Sequence, residues 1–165
     1  MQIQFLCPAH AQWLASHPES AVAHFFTCID SSQLAAETDN LEDPFLFAGN
    51  ALDTAWLIYQ NTAGVAAEWL ANIVEATIML DAVTTERNQH QLLVQYLLAA
   101  VKLVRHELAS CSRFNERASD YEHFLQQLTP RVERLRGFSN RTSDWHIKGK
   151  FPEVNGESLE RDFLH

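Results

Sequence analysis

Apolar side chains recur at three- and four-residue steps from Pro44 to Arg136, the spacing that places them on one face of an α-helix. Three long stripes follow one another and indicate three successive helices. The stripes consist of Ala48, Leu52, Ala55, Trp56 and Tyr59, then Ala66, Trp69, Leu70, Ile73, Thr77, Leu80 and Val83, then Leu92, Leu93, Tyr96, Leu97, Ala100, Leu103, Val104 and Leu108. Short connections between such helices favour antiparallel hairpins.

Local signals mark where these helices begin and end. Asp43 followed by Pro44 is typical of a helix start, because Asp accepts from free backbone amides and proline at the first position loses no hydrogen bond. The polar run 60–64 ends in glycine and predicts a turn. Asn88 and Gln91 have the spacing of a capping box and predict the start of the third stripe's helix.

A further stripe predicts a helix that is capped by Ser112 and runs to Gly137. Its apolar positions are Ala118, Tyr121, Leu125, Leu128, Val132 and Leu135. Pro130 removes a backbone donor and is expected to kink or restart this helix.

The N-terminal part has a shorter period. It predicts a brief helix over 8–16 and a second helix from Glu19 to about Ala36, with Phe25, Phe26 and Ile29 facing inward. No pair of strands is predicted anywhere. The fold class is therefore all-α, with five to six helices in antiparallel hairpins, a helical domain over 1–137 and an irregular C-terminal tail over 138–165 that packs on it or is mobile.

Charge divides the chain into two halves. Eleven carboxylates and no lysine or arginine precede Arg87, whereas twelve basic and ten acidic residues follow from there on. An anionic half of this kind repels phosphates and anionic lipid headgroups and attracts cationic partners. We therefore expect no nucleic acid as partner and predict a small protein-interaction module, such as an adaptor, chaperone or regulatory subunit, that binds a basic or amphipathic protein segment.

Five residues are the candidates for contact with that partner. Asp53, Glu68 and Glu75 supply carboxylates in the acidic half, and Trp56 and Trp69 supply aromatic surface on adjacent helices. Both tryptophans also fit the inward stripes, so we expect them to be largely buried, and a groove between them is the alternative.

One constellation resembles a set of metal ligands. Cys7 and His10, followed by His24 and Cys28, have pair spacings that allow a tetrahedral zinc site. The pairs lack the glycine-rich or ββα context of common zinc modules, so packing roles are favoured and no cofactor is expected. A zinc-stabilised regulatory domain built on these four residues is the alternative function.

Catalytic motifs are missing from the sequence. It contains no nucleophile elbow, phosphate-binding glycine loop, His-Glu-x-x-His or Cys-x-x-Cys, and the pair Asp120 and His123 is a degenerate form of a di-metal motif. There is thus no basis for predicting an enzyme. The three cysteines have no framework spacing and no export signal is visible, so we predict a cytoplasmic protein. No apolar run reaches about 20 residues, so no membrane span is predicted.

A small basic cluster follows in the second half, consisting of Arg131, Arg134, Arg136 and Arg141. We expect it to neutralise the acidic half of the same chain or of a neighbouring subunit in a homodimer, since Glu133 lies within it.

The segment 43–110 resembles the TPR-like α-α superhelix group. It predicts successive helical hairpins, and small residues stand where the helices would meet, namely Ala48, Gly49, Ala51 and Ala55. The resemblance implies a scaffold that binds peptides or proteins on a concave face. A closed bundle of five or six helices is the alternative architecture.

Overall fold

The computed structural model describes residues 4–38, 43–61, 66–111 and 117–141, with the backbone alone at 66–67, 87–88 and 136–141. The chain divides into two compact units, Met1–Leu135 and Arg136–His165. The sites and contacts below belong to the first unit.

The described residues are all-α and contain no strand, which confirms the predicted fold class. They form six helices: α1 (Pro8–Ser16), α2 (Pro18–Glu37), α3 (Pro44–Asn61), α4 (Ala66–Val83), α5 (Arg87–Ser110) and α6 (Arg117–Arg141). Pro8, Pro18 and Pro44 each occupy the first helical position, where a missing N–H costs nothing. The predicted start at Asp43 is confirmed, because its Oδ1 accepts from the Phe45 N–H at 2.9 Å.

The capping box of α5 lies two residues before the predicted one. Glu86 is the N-cap, and Gln89 Oε1 accepts from the N–H groups of Thr85 and Glu86 at 3.2 Å. The prediction at Asn88 was wrong because two overlapping segments have capping-box spacing. The structure contains the upstream box, which starts the helix about half a turn earlier.

Helix α6 corrects the expectations for the C-terminal part. It continues through Pro130 without a restart, and the Arg131 guanidinium donates to the Gln127 carbonyl one turn earlier. It also continues past Gly137 to Arg141, so residues 138–141 are helical and not irregular. A single glycine costs only about 1 kcal/mol inside a helix, too little to end it. Ser112 and the remainder of the predicted tail lie outside the described residues.

Cross-helix contacts place alternate helices side by side. The rings of Phe25 on α2 and Trp69 on α4 lie 5.2 Å apart. The Tyr96 hydroxyl of α5 donates to Asp53 of α3, and Asp81 of α4 pairs with Arg134 of α6. Together with the α1–α3 contact, these pairs show that each helix contacts the next helix but one, and the consecutive helices α1 to α5 also pack on one another.

The core is formed by the predicted stripes. Leu52, Leu70, Leu97 and Val104 are fully buried. Phe25 faces inward as predicted, but Phe26 was predicted wrongly and is more than half exposed, because neighbours on a helix point about 100° apart. Among the described helices, none has the length and apolar character needed to cross a membrane.

Candidate functional site

The five predicted partner residues lie in two different environments. Trp56 and Trp69 are only 5% and 8% exposed, which confirms their predicted burial, and Asp53 is completely buried. Glu68 and Glu75 are exposed on α4, seven residues apart and hence on the same face. In this structure a partner can therefore reach the two glutamates but not Asp53 or the faces of the two indoles.

Asp53 is surrounded by donors from the chain itself. Its Oδ2 accepts from the backbone N–H groups of Gln4, Phe5 and Leu6 at 2.9, 2.6 and 3.1 Å. Its Oδ1 accepts from the Tyr96 hydroxyl at 2.5 Å. Asp53 was predicted to contact a partner, but its hydrogen bonds instead connect the segment before α1 with α3 and α5.

The electrostatics of this cluster follow from its burial. Burial raises the pKa of Asp53 and outweighs the lowering effect of the hydrogen bonds from Tyr96 and the three amides. Burial, and then the neighbouring Asp53 charge, raise the pKa of Tyr96 as well. The raised pKa of Tyr96 keeps its hydroxyl protonated, so Tyr96 is the donor to Asp53 Oδ1.

A cleft of about 230 Å³ lies between α4 and α6. Its lining residues are Glu68, Ala71, Arg117, Asp120, Tyr121 and Phe124. The carboxylates of Glu68 and Asp120 belong to exposed residues, whereas Tyr121 is buried and Phe124 is half-buried. The charged lining consists of two carboxylates and the guanidinium of Arg117, so the cleft is net negative, and with its two aromatic rings it favours a cationic side chain.

The predicted neutralisation within the chain is present at the other end of α4. Arg134 donates to both carboxylate oxygens of Asp81, and Arg131 Nε lies 3.2 Å from Asp81 Oδ2, although it is not aligned for a hydrogen bond. This confirms the predicted role for two arginines of the basic cluster. The side chains of Arg136 and Arg141 lie outside the described residues.

The candidate metal ligands meet only in part. The His10 and His24 rings are packed edge to face with centroids 4.8 Å apart, and Cys28 Sγ lies 3.8 Å and 3.7 Å from the two nitrogens of His24. Nearly equal distances show that the sulfur does not lie along the lone-pair axis of either nitrogen. Cys7 is the exposed N-cap of α1.

Hydrogen bonding determines the tautomer of His24. The Thr54 hydroxyl donates its proton to the Asn50 carbonyl at 2.7 Å, so it must accept from His24 Nδ1 at 3.0 Å. Burial, followed by the neighbouring His10, lowers the pKa of His24 and favours the neutral ring. His24 thus packs α2 against α3 as a neutral donor.

The described residues contain no group of three or more His, Cys, Asp or Glu side chains arranged to hold a metal ion. Burial raises the pKa of Cys28 to about 11, which disfavours the thiolate that zinc requires. The four predicted ligands are therefore placed in packing and capping positions.

The two N-terminal thiols should differ strongly in reactivity. At pH 8 we expect iodoacetamide to modify exposed Cys7 at least about tenfold faster than Cys28, because burial shields the Cys28 thiol and raises its pKa to about 11. Peptide mass spectrometry over time measures both rates. In urea the two rates should become similar, and similar rates in the native protein would contradict the burial of Cys28.

Sequence reasoning missed part of the α4–α6 cleft. Tyr121 was recognised as a core position and Asp120 only as half of a degenerate metal motif, whereas both line the cleft with Glu68. The available signal was the spacing of Arg117, Asp120, Tyr121 and Phe124, which places them on one helix face. Which helix packs opposite this face of α6 depends on tertiary packing and cannot be read from the spacing.

Comparison with protein-family models, with curated proteins and with solved structures finds no match to this chain.

Proposed function

We propose that this protein is a helical protein-interaction module that binds a basic or amphipathic segment of another protein at the α4–α6 cleft. The observation that carries the proposal is that Glu68 and Asp120 line one open cleft with Tyr121 and Phe124, where two carboxylates outnumber the one guanidinium of Arg117. A lysine or arginine side chain there would lie near carboxylates and aromatic rings at once, and each contact favours a cation.

The surrounding charge supports the same partner. Among the described carboxylates before Arg87, seven belong to exposed residues: Glu19, Asp30, Glu37, Asp43, Glu68, Glu75 and Glu86. A field of this sign raises the encounter rate with cationic segments and lowers that with nucleic acid. Glu75 extends the acidic face of α4 by about two helical turns beyond Glu68.

The arrangement of the helices also supports an interaction module. Successive helical hairpins in which each helix also contacts the next helix but one are the arrangement expected of a TPR-like α-α superhelix. Such a scaffold presents an extended concave surface to its partner. We therefore include membership of this architectural group in the proposal.

Binding of a lysine-rich amphipathic peptide tests the proposal. Fluorescence anisotropy should show association that weakens at least about tenfold between low and high salt, because the attraction is screened. Glu68→Lys should weaken binding by about tenfold, as it places a like charge in the cleft. Glu19→Lys makes the same change of net charge at an exposed position on α2 and is the matched control, with an effect below about threefold.

Two results would contradict the proposal. Equal loss for both variants would show that the whole acidic surface attracts the peptide without a defined cleft. Tight, salt-sensitive binding to duplex DNA would contradict the choice of partner.

A further inference from the structure

The segment 145–151, which lies outside the described residues, has the chemistry that the α4–α6 cleft favours. Its sequence is Trp-His-Ile-Lys-Gly-Lys-Phe, and it contains two lysines and no carboxylate. Large apolar residues stand at 145, 147 and 151 and the lysines at 148 and 150, so the two kinds alternate. A period of two places them on opposite sides of an extended chain. The segment is therefore both basic and amphipathic, which are the properties proposed for the partner of this cleft.

The cleft presents surfaces for both sides of such a segment. The rings of Tyr121 and Phe124 lie 6.3 Å apart between centroids and supply apolar lining. The carboxylates of Glu68 and Asp120 outnumber the guanidinium of Arg117. A cleft of about 230 Å³ is smaller than the roughly 300 to 1,000 Å³ of a site for a whole small molecule, so it takes one or two side chains. An apolar side chain of the segment can contact the rings while the flexible stem of a lysine extends to a carboxylate.

The described arginines of the basic cluster on α6 are already neutralised within the chain. Arg134 donates to both carboxylate oxygens of Asp81, and Arg131 Nε lies 3.2 Å from Asp81 Oδ2. They are therefore poorer ligands for the cleft than the lysines of 145–151, which have large apolar neighbours in the sequence.

The short linker after α6 favours a second copy of the chain as the source of the segment. The linker 142–144 allows Trp145 to lie at most about 14 Å from Arg141, where α6 ends. The cleft residues of α6 lie near its start, and the stretch from Phe124 to Arg141 is about 25 Å long at 1.5 Å per residue. Trp145 therefore cannot return to the cleft of its own chain, whereas the whole segment can enter the cleft of another copy.

We propose that the α4–α6 cleft binds the segment 145–151 of a second copy of this chain. This inference rests on the proposed function, because it names the partner of the same cleft. When each copy gives its segment to the other, two identical contacts close a dimer. The second contact then forms within the complex, where its effective concentration is of the order of millimolar.

Analytical ultracentrifugation of the full chain tests the proposal. The unchanged chain should sediment as a dimer at about 100 µM, a concentration that populates a dimer of micromolar Kd. Lys148→Glu combined with Lys150→Glu should sediment as a monomer, because it brings like charges to the acidic cleft. Lys102→Glu combined with Arg105→Glu makes the same change of net charge at exposed positions of α5. It is the matched control and should remain a dimer.

A mixture of two charge-reversed chains distinguishes the contact from general damage. Glu68→Lys combined with Asp120→Lys gives a basic cleft and should also be a monomer. Mixed with the variant of Lys148 and Lys150, it should form a dimer of one copy each, because its basic cleft takes the acidic segment and its own basic segment enters the unchanged cleft. Formation of this mixed dimer also shows that both variants are folded.

Two outcomes would overturn the inference, namely an unchanged chain that is a monomer at about 100 µM, and a dimer that persists when both lysines are replaced. Binding of the lysine-rich peptide to the variant of Lys148 and Lys150 separates this failure from that of the proposed function. If that peptide binds and the unchanged chain is a monomer, the cleft has a different partner and the proposed function stands. If the peptide does not bind, both are contradicted.

Discussion

Replacing Trp69 by alanine is expected to lower the free energy of unfolding by about 3 to 5 kcal/mol. The side chain is 8% exposed and packs edge to face on Phe25, so it joins α4 to α2. Its removal leaves a cavity between two helices that are anchored on both sides by other core residues. Urea denaturation followed by circular dichroism measures the change, with an unchanged slope expected if the folded state keeps its compactness.

Trp13→Ala is the control for this substitution. Trp13 is 47% exposed on α1 and stacks on His17 at the surface, so the same loss of an indole should cost less than about 1 kcal/mol. A cost below about 1 kcal/mol for Trp69→Ala would place that indole on the surface. It would then favour the alternative in which Trp56 and Trp69 line a groove.

Asp53→Ala should lower the free energy of unfolding by about 2 to 4 kcal/mol, since it leaves the Tyr96 hydroxyl and three backbone N–H groups without their acceptor. The loss is smaller than the sum of four separate bonds because the segment 4–6 can detach and bond to water. Hydrogen exchange should therefore show fast exchange of these three amides, while the amides of α3 and α5 remain protected.

Asp43→Ala makes the same chemical change at an exposed carboxylate. Asp43 accepts from one N–H at the start of α3, so its loss should cost about 1 kcal/mol, as is usual for a helix cap. Tyr96→Phe removes a single donor from Asp53 and should cost about 1 to 2 kcal/mol. If Asp53→Ala lowers the free energy of unfolding no more than Asp43→Ala does, the Asp53 carboxylate does not hold the N-terminal segment.

Hydrogen bonds join α3 to α5 at two places, since Tyr96 donates to Asp53 and Tyr59 donates to Glu107 at 2.6 Å. The α4–α6 cleft shares none of these residues.

Local signals were sufficient for most of the helical structure. Proline at positions 8, 18 and 44 and the periodic stripes of apolar residues predicted helices close to α1, α2, α3 and α4. These signals act over one or two helical turns, within the range of a cap or of an amphipathic face. They failed where two local solutions compete, as at Glu86 and Asn88, or where one glycine is too weak to end a helix, as at Gly137.

The sequence by itself determined the all-α class, the inward faces of most of its helices and the excess of negative charge before Arg87, because helical periodicity and charge are properties of neighbouring residues. Only the tertiary structure decided that Asp53 is a buried acceptor and Glu68 an open one, although both are carboxylates in the same acidic half. The donors of Asp53 are 43 to 49 residues away in the chain. Their convergence depends on how the helices pack, and no local pattern encodes that.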